Sequence, residues 1–593
     1  MSKRVLFNGA VLVRPGAATK IDASQFQDAV LTGIGIVGLI GAADGGQPRT
    51  VQVFSTPQAV KSFYRSGDLV EAANLVKAPS NDPLIQAGAS AIVCYKTNNS
   101  AAASLTKSGT FVYTSKDYGL HTNNIQLALS NPLAGSDRVL TISTIDEFGL
   151  PVTETSPSLG TAGKFTIQYV GAGSGCTMTI SATQLTTTVT GGPGGEALTL
   201  NFSDYPNLAA LLRYIDGLAA YTATSLITND TSFDPSYLDA VTTVDIRTAL
   251  TTVYARNFDQ YDWIIKNSQI ITATLTKGQT GPIATFTATA LAGGTKGSSS
   301  NTDWTNGFTG LGGVRCTQVV PLASADGSGS DTYTIASIAA GLASHAKFYS
   351  STAGRSERQG WIGVSMTKTN LIALANTTNS EHICLVGQKV KVQRASDSAL
   401  VYMPEWASAC MLAGLRAGAP LGEPITHKFL AVYGVSEDAS WSHNNDADVI
   451  DLDLNGVMVI AEKVGSGFYL DKGITTYTKS ENDAFMEETI VQGWKQVSYG
   501  LRQALEARYT GRPGTLAQVN TVDGTVSSYM EKQRDAGAIT DSFQNGQTIK
   551  AYRGITKSLN GDVLSVGCTF SPTPGINFIL NTLVIVPAVV SSQ

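Results

Sequence analysis

Residues 33–64 read GIGIVGLIGAADGGQPRTVQVFSTPQAVKSFY. The apolar run around Ile36, Val37, Leu39 and Ile40 breaks at Asp44, Gly45, Gly46 and Pro48, and an alternating run resumes at Val51 and Val53. Thr56-Pro57 then opens a helix, because the Thr hydroxyl can cap the first turn and Pro is tolerated where no amide donor is needed. The far end, residues 561–593, is GDVLSVGCTFSPTPGINFILNTLVIVPAVVSSQ, which reads as two period-two strands. Both ends are therefore built to pair. A strand with no partner in its own domain adds to the edge of a neighbour.

Working inward, DLVEAANLVKA predicts a second helix and GASAIVCYK a strand, so residues 25 to about 100 form a compact α/β piece. From about 105 the texture becomes Thr- and Gly-rich, with half-buried alternation at Phe165, Ile167 and Tyr169, at Cys176, Met178 and Ile180, and at Leu198, Leu200 and Phe202. One helix, YPNLAALLRYIDGLAAY, interrupts these strands, with Pro206 in its first turn. Past 300 the α/β pattern returns. CTQVVPL, then YTIASIAAGLASHAKFY, then GWIGVSM is a strand-helix-strand unit, which packs parallel and right-handed. NLIALAN, HICLVG and PEWASACMLAGLRAGAP repeat the alternation. Two helices close the region: one starts at ENDAFMEETIVQGWK, apolar at Ile490, Trp494, Val497, Leu501 and Leu505. The other runs from TLAQVN to a stop near Gly537.

At 593 residues the chain exceeds what one core supports. The expected organisation is a mixed α/β and α+β multidomain protein. It comprises an N-terminal arm (1–24), a first core part (25–104), an inserted, protruding β-rich domain (105–295), a second core part (296–475), a C-terminal domain (476–575) and a terminal strand arm (576–593). Net charge is −5 with 15% charged residues and no basic run, which argues against a nucleic-acid partner. No stretch approaches 18 uninterrupted apolar residues, so no membrane insertion is expected. Lys3 and Arg4 before VLFNGAVLV mimic a signal peptide, but the apolar part is short and broken by Asn8. It reads as an extended arm. Cys94, Cys176, Cys316, Cys384, Cys410 and Cys568 lack any metal-ligand spacing. They read as buried thiols, with an intersubunit disulfide as the alternative.

Four patterns invite a catalytic or binding reading and fail on context. Gly33, Gly35 and Gly38 satisfy GxGxxG, yet the strand continues past them and no helix follows to receive a pyrophosphate. GGTKGSSS at Lys296 and TAGKFT at Lys164 are incomplete phosphate loops. DLDLNGVMVIAE, residues 451–462, places Asp451, Asp453, Asn455, Gly456 and Glu462 at calcium-loop positions. Its upstream flank is rich in turn formers, so a turn entering a strand is expected instead. His121, His345, His382, His427 and His443 are scattered, without a ligand pair. No catalytic, metal or cofactor residue is assigned, and no enzyme activity is expected. A nucleotide-dependent enzyme resting on Gly33 to Gly38 is the weakest alternative, and a different structural component or an adhesin with a β-rich binding insert is the stronger one.

RPGAATKID, the block from GIGIVGLIGAADGG through PRTVQVFSTPQAVKSFYRSGDLVEA, the step GTFVYTSKDYGLHTNNIQLAL, the block MPEWASACMLAGLRAGAPLGEPITHK and the helix around TIVQGWKQV together resemble the tail sheath proteins of contractile-tailed bacteriophages. The resemblance covers roughly 1–135 and 290–593. It departs from the usual Pro-Gly-Val-Tyr arm at Ala17 and Ala18. It implies a virion subunit, assembled in the host bacterial cytoplasm, that forms a sixfold helical homo-oligomer around an inner tube. Baseplate and tail terminator proteins are the implied partners at the two ends. It also implies strand exchange through the arms, here Val11, Val13, Ile576, Phe578, Leu580 and Val584. Contraction by rigid-body rearrangement would then drive the tube through the host envelope. Lys532, Arg534 and Asp535 are the expected tube contacts, on helices facing the tube.

Overall fold

The computed structural model describes residues 5–7, 10–12, 35–85, 87–107, 111–131, 138–278, 281–480, 482–544, 546–577 and 580. Its centre is a six-stranded sheet of β1 (Ile36–Gly41), β2 (Val51–Phe54), β3 (Ala91–Lys96), β4 (Gln318–Pro321), β5 (Gln359–Gly363) and β6 (Ile383–Val386), in the order β6-β5-β4-β1-β3-β2. All pairs are parallel except the edge strand β2, which runs antiparallel to β3. The stretch quoted first thus supplies the sheet's central strand. Ile36 stands opposite Ala91 on one side, while Val37 stands opposite Gln318 on the other. β1, β3, β4, β5 and β6 are buried along their whole length, as parallel strands covered on both faces must be.

Successive residues of β1 feed opposite cores. Val37 and Leu39 join Val320, Trp361 and Cys384 on one face; Ile36 and Ile40 join Val319, Ile362 and Leu385 on the other. The first face is covered by α1 (Pro57–Tyr64) and α2 (Asp68–Lys77), and the second by α3 (Asn301–Leu311) and α4 (Ile335–Tyr349). The first core also holds α5 (Glu405–Gly418), which is buried on every side from Glu405 to Ala417. α5 and α2 touch at Gly414, where a Cβ would lie 2.6 Å from the Val76 carbonyl oxygen. Thr56 caps α1 as the sequence predicts, accepting from the Ala59 amide at 3.2 Å. Ser300 and Asp303 form a reciprocal capping box on α3.

Between β3 and β4 the chain makes antiparallel strands with two separate apolar cores. One is built from residues between Ala103 and Leu291, and the other, nested within that span, from residues between Phe165 and Ala255. The chain leaves and rejoins the sheet side by side, through the bridges Ala101↔Thr295 and Ser104↔Ala292. The expected helix here is shorter than predicted, Leu208–Asp216, because Asn207 rather than Pro206 sets its start, accepting from the Ala210 amide at 2.9 Å. The chain is already a strand at Tyr221. A second helix, Arg256–Asn267, stands where none is predicted; its RNFDQYDWIIKN sequence is too polar to advertise an apolar stripe.

The calcium-loop pattern also folds differently upstream. α6 (Asp446–Leu454) occupies the supposed turn region, with Asn445 capping it and Asp446 and Asp448 in its first turn, a placement the helix dipole favours. Asp451 and Asp453 are therefore helical, and only from Asn455 and Gly456 does the chain turn toward the strand Ile460–Lys463. Among the described residues no group of three His, Cys, Asp or Glu side chains is arranged to hold a metal.

The C-terminal part contains α7 (Glu488–Tyr509), α8 (Leu516–Asn520), α9 (Val522–Asp535) and a hairpin of β7 (Tyr552–Asn560) with β8 (Val563–Phe570). The first predicted helix is split: Asp483–Met486 makes one turn, Glu487 is extended, and α7 follows. The second is split at Thr521 between α8 and α9. Val497, Val522, Val526, Met530, Ile539 and Ala551 form the small core of this module.

Candidate functional site

The nucleotide-like patterns are structural. Gly33 lies outside the described residues. Gly38 sits within β1, where a Cβ would come within 2.9 Å of Leu311 Cδ1 and 3.1 Å of Cys316 Sγ, so the glycine lets α3 approach the sheet. β1 is followed by a turn and β2, not by a helix. Lys164 forms a largely buried ion pair with Asp259, and Lys296 an exposed one with Asp44 at 3.2 Å. The histidines stay apart. His345 takes a hydrogen bond from Arg358 Nη1 at 2.9 Å, and burial together with the Arg358 charge draws its pKa down to about 3. Five cysteines are buried and Cys568 is half-buried, all as free thiols.

The surfaces that stand open are at the ends of the chain. β7 and β8 pair over seven residue positions, from Tyr552↔Phe570 to Asn560↔Val563. Among the described residues neither outer edge carries a third strand. Leu559 and Leu564, with Leu505 and Tyr509 of α7 and Val519 of α8, line a groove of about 830 Å³ beside the hairpin. Leu516, at the start of α8, and Phe543 are about three-quarters exposed, at 76% and 75%. At the N-terminus Val5–Phe7 pairs, among the described residues, only with Ala10–Leu12, Val11 standing opposite Leu6. Of the other predicted arm residues, Val13, Phe578 and Val584 lie outside the described residues. Ile576 and Leu580 are exposed, at 82% and 97%, and outside any strand. Lys532, Arg534 and Asp535 share the exposed end of α9, where Arg534 pairs with Glu531 at 2.6 Å and Asp535 at 3.5 Å.

A second polar concentration, not anticipated from sequence, lies where α7 roots against the sheet. Glu488 is fully buried 3.6 Å from Arg416. Lys495 Nζ donates to the Arg358 carbonyl at 2.8 Å and to Gln359 Oε1. Arg502 pairs with the buried Glu357. Burial lowers Lys495 to about 7 and raises Glu488. The available signal was the spacing of Glu488, Gln492 and Lys495 at i, i+4 and i+7, one polar line on a helix otherwise read as apolar.

No family profile matches the chain. Two solved sheath tail proteins share its fold. One from Listeria innocua aligns over 91% of this chain and 92% of its own at 15% identity with a TM-score of 0.55. One from Desulfitobacterium hafniense aligns over 95% and 97% at 14% identity with a TM-score of 0.53. The architecture, a split α/β sheet with a β-rich insertion, is thus the fold of these two proteins. In sequence the chain is 24% identical over 598 residues, 96% of each chain, to one assigned as a tail sheath protein in Enterococcus phage phiEF24C. It is 25% identical over 577 residues, 90% of this chain and 92% of the other, to the tail sheath protein of Staphylococcus phage Twort. Over nine-tenths or more of its length the chain is thus similar in sequence to phage tail sheath proteins.

Proposed function

We propose that this subunit polymerises into a contractile sheath around an inner tail tube, with sixfold helical symmetry, and that neighbouring copies are joined by exchanged strands. The observation that carries the reading is the β7–β8 hairpin, whose two outer edges are unpaired among the described residues. A two-stranded ribbon is marginal alone and is stabilised by further strands. The arms that would supply them include Val11 and Val13 at one end and Ile576, Phe578, Leu580 and Val584 at the other. Six to eight backbone hydrogen bonds per joint, at about 1 kcal/mol net each, plus apolar side chains at about 1.5–3 kcal/mol each, would hold such joints while subunits rotate as rigid bodies. The stored energy would lie in the difference between two lattice packings, without nucleotide.

In this reading α7 to α9 face the tube, with Lys532, Arg534 and Asp535 in contact. The insert at 105–295 projects outward, and baseplate and terminator proteins bound the tube's ends. Assembly takes place in the host cytoplasm. Electron microscopy of the purified chain tests it. Tubes or polysheaths are expected, and deleting residues 1–20 or 576–593 should abolish them while the monomer still folds. A monomer indifferent to both truncations would end the proposal. Charge reversal at Lys532, Arg534 and Asp535 should weaken co-sedimentation with tube without preventing polysheath formation.

A further inference from the structure

The root of α7 buries more positive charge than its carboxylates balance. A cavity of about 20 Å³ opens between α7, the start of β4 and the end of α5, bounded in part by Arg315, Gln318, Glu357, Arg416, Gln492 and Lys495. Gln318, Glu357, Arg416 and Lys495 are each at most 5% exposed. Three cations therefore meet one carboxylate on these walls, and that carboxylate is already engaged by Arg502. Glu488, beside Arg416, has neither carboxylate oxygen in a hydrogen bond. Arg358, just behind Lys495, is held by the carbonyls of Leu311 and Val314 and by His345, with no carboxylate in ion-pair range among the described residues.

Apart from the 3.6 Å ion pair of Arg416 with Glu488, the three cations on these walls are held by neutral groups. Arg416 donates to the carbonyls of Glu423 and Pro420 at 2.9 and 3.0 Å. Arg315 donates to Ser356 Oγ and the Glu357 carbonyl, lies 3.8 Å over the Tyr499 ring, and leaves its Nε without a partner. Carbonyls orient a buried cation but do not cancel its charge, and buried charge is costly until it is compensated. The cavity exceeds the roughly 10–15 Å³ needed for one water-sized body. We propose that this cavity binds a small monovalent anion of chloride size, which supplies the missing negative charge between Arg315, Arg416 and Lys495. The anion fastens α7, and through it the C-terminal module, to the central sheet. Without it, burial favours loss of the Lys495 proton.

The test is thermal unfolding of the full chain at neutral pH in sodium chloride, sodium bromide and sodium gluconate at matched ionic strength, since gluconate is too large for the cavity. Chloride and bromide should raise the melting temperature by about 2–4 °C over gluconate. Crystals grown in bromide should show an anomalous peak between the three cations. Arg315→Gln should abolish the anion-dependent shift. Lys495→Met, which keeps the length of the side chain and removes a buried charge, should do the same if Arg315→Gln fails to fold. Equal melting in all three salts, a shift that persists in both variants, or a cavity with water density and no bromide peak would each overturn the assignment.

Discussion

At the scale of single residues, the glycines and histidines that suggest chemistry in the sequence are explained by packing. Gly38 faces a flexible methyl and a thiol, whereas a Cβ on Gly363 in β5 would stand 1.9 Å from the Glu405 carbonyl oxygen. Side-chain ends can shift and backbone cannot. Gly38→Ala is therefore expected to cost about 1–3 kcal/mol in denaturant unfolding, and Gly363→Ala to leave little soluble folded chain. His345 offers a pH prediction. Its folded pKa of about 3 lies below the ordinary 6.5, so the unfolded chain takes up the proton first as pH falls. Stability from this site is full above 6.5 and drains away between 6.5 and 3. His345→Gln, which keeps an acceptor for Arg358, should flatten the fall in denaturation midpoint between pH 7 and 4.5. An unchanged slope would assign the acid lability elsewhere.

Among the elements, what could be read in advance was whatever a single periodicity decides. β1, α2, β3 and the β4-α4-β5 unit follow from apolar runs and caps, because parallel strands buried on both faces leave no polar alternation to mislead. Two of the misreadings come from short polar caps that outweigh composition, and a third from a single extended residue. Asn445 starts α6 inside a turn-rich stretch, Asn207 delays the insert's first helix past Pro206, and the extended Glu487 breaks what reads as one continuous helix. α7 then does two jobs along one axis. Its first half is buried in the charged root, with Val491 and Lys495, and its second half packs Leu501, Leu505 and Tyr509 on the C-terminal module. Among the described residues the core cluster of that module holds six fully buried apolar residues, too small a core to share the stability of the sheet. Met530→Ala, at about 2–5 kcal/mol, is accordingly expected to speed hydrogen exchange throughout β7 and β8 while leaving β1 and β3 to β6 protected. Loss of protection in both regions together would mean that the module and sheet unfold as one unit.

For the whole molecule, neither the internal division of the 105–295 segment nor its docking could be read from sequence, since both depend on contacts between residues far apart in the chain. The two cores of the insert own their hydrophobic residues separately from the sheet. Its fastening to the sheet is polar and thin: Arg65 donates to the Ile145 carbonyl at 3.1 Å and pairs with Asp117 at 3.3 Å, and Asp117 accepts the Gly46 amide at 2.7 Å. Lys96, by contrast, is held wholly on the sheet side, by the carbonyls of Gly45 and Gly46 and by Ser100 Oγ. Because Ser104 and Ala292 exchange backbone hydrogen bonds at 2.8 and 3.0 Å, a tight Asn-Gly turn can close the gap when residues 105–291 are removed. The shortened chain should fold, lose only the stability of those few polar contacts, and form tubes of reduced outer diameter under the electron microscope. The excised segment should show cooperative unfolding by itself. Tubes of unchanged diameter would place the insert at the inner wall, and a shortened chain that folds but no longer assembles would make the insert part of the lattice contact rather than its decoration.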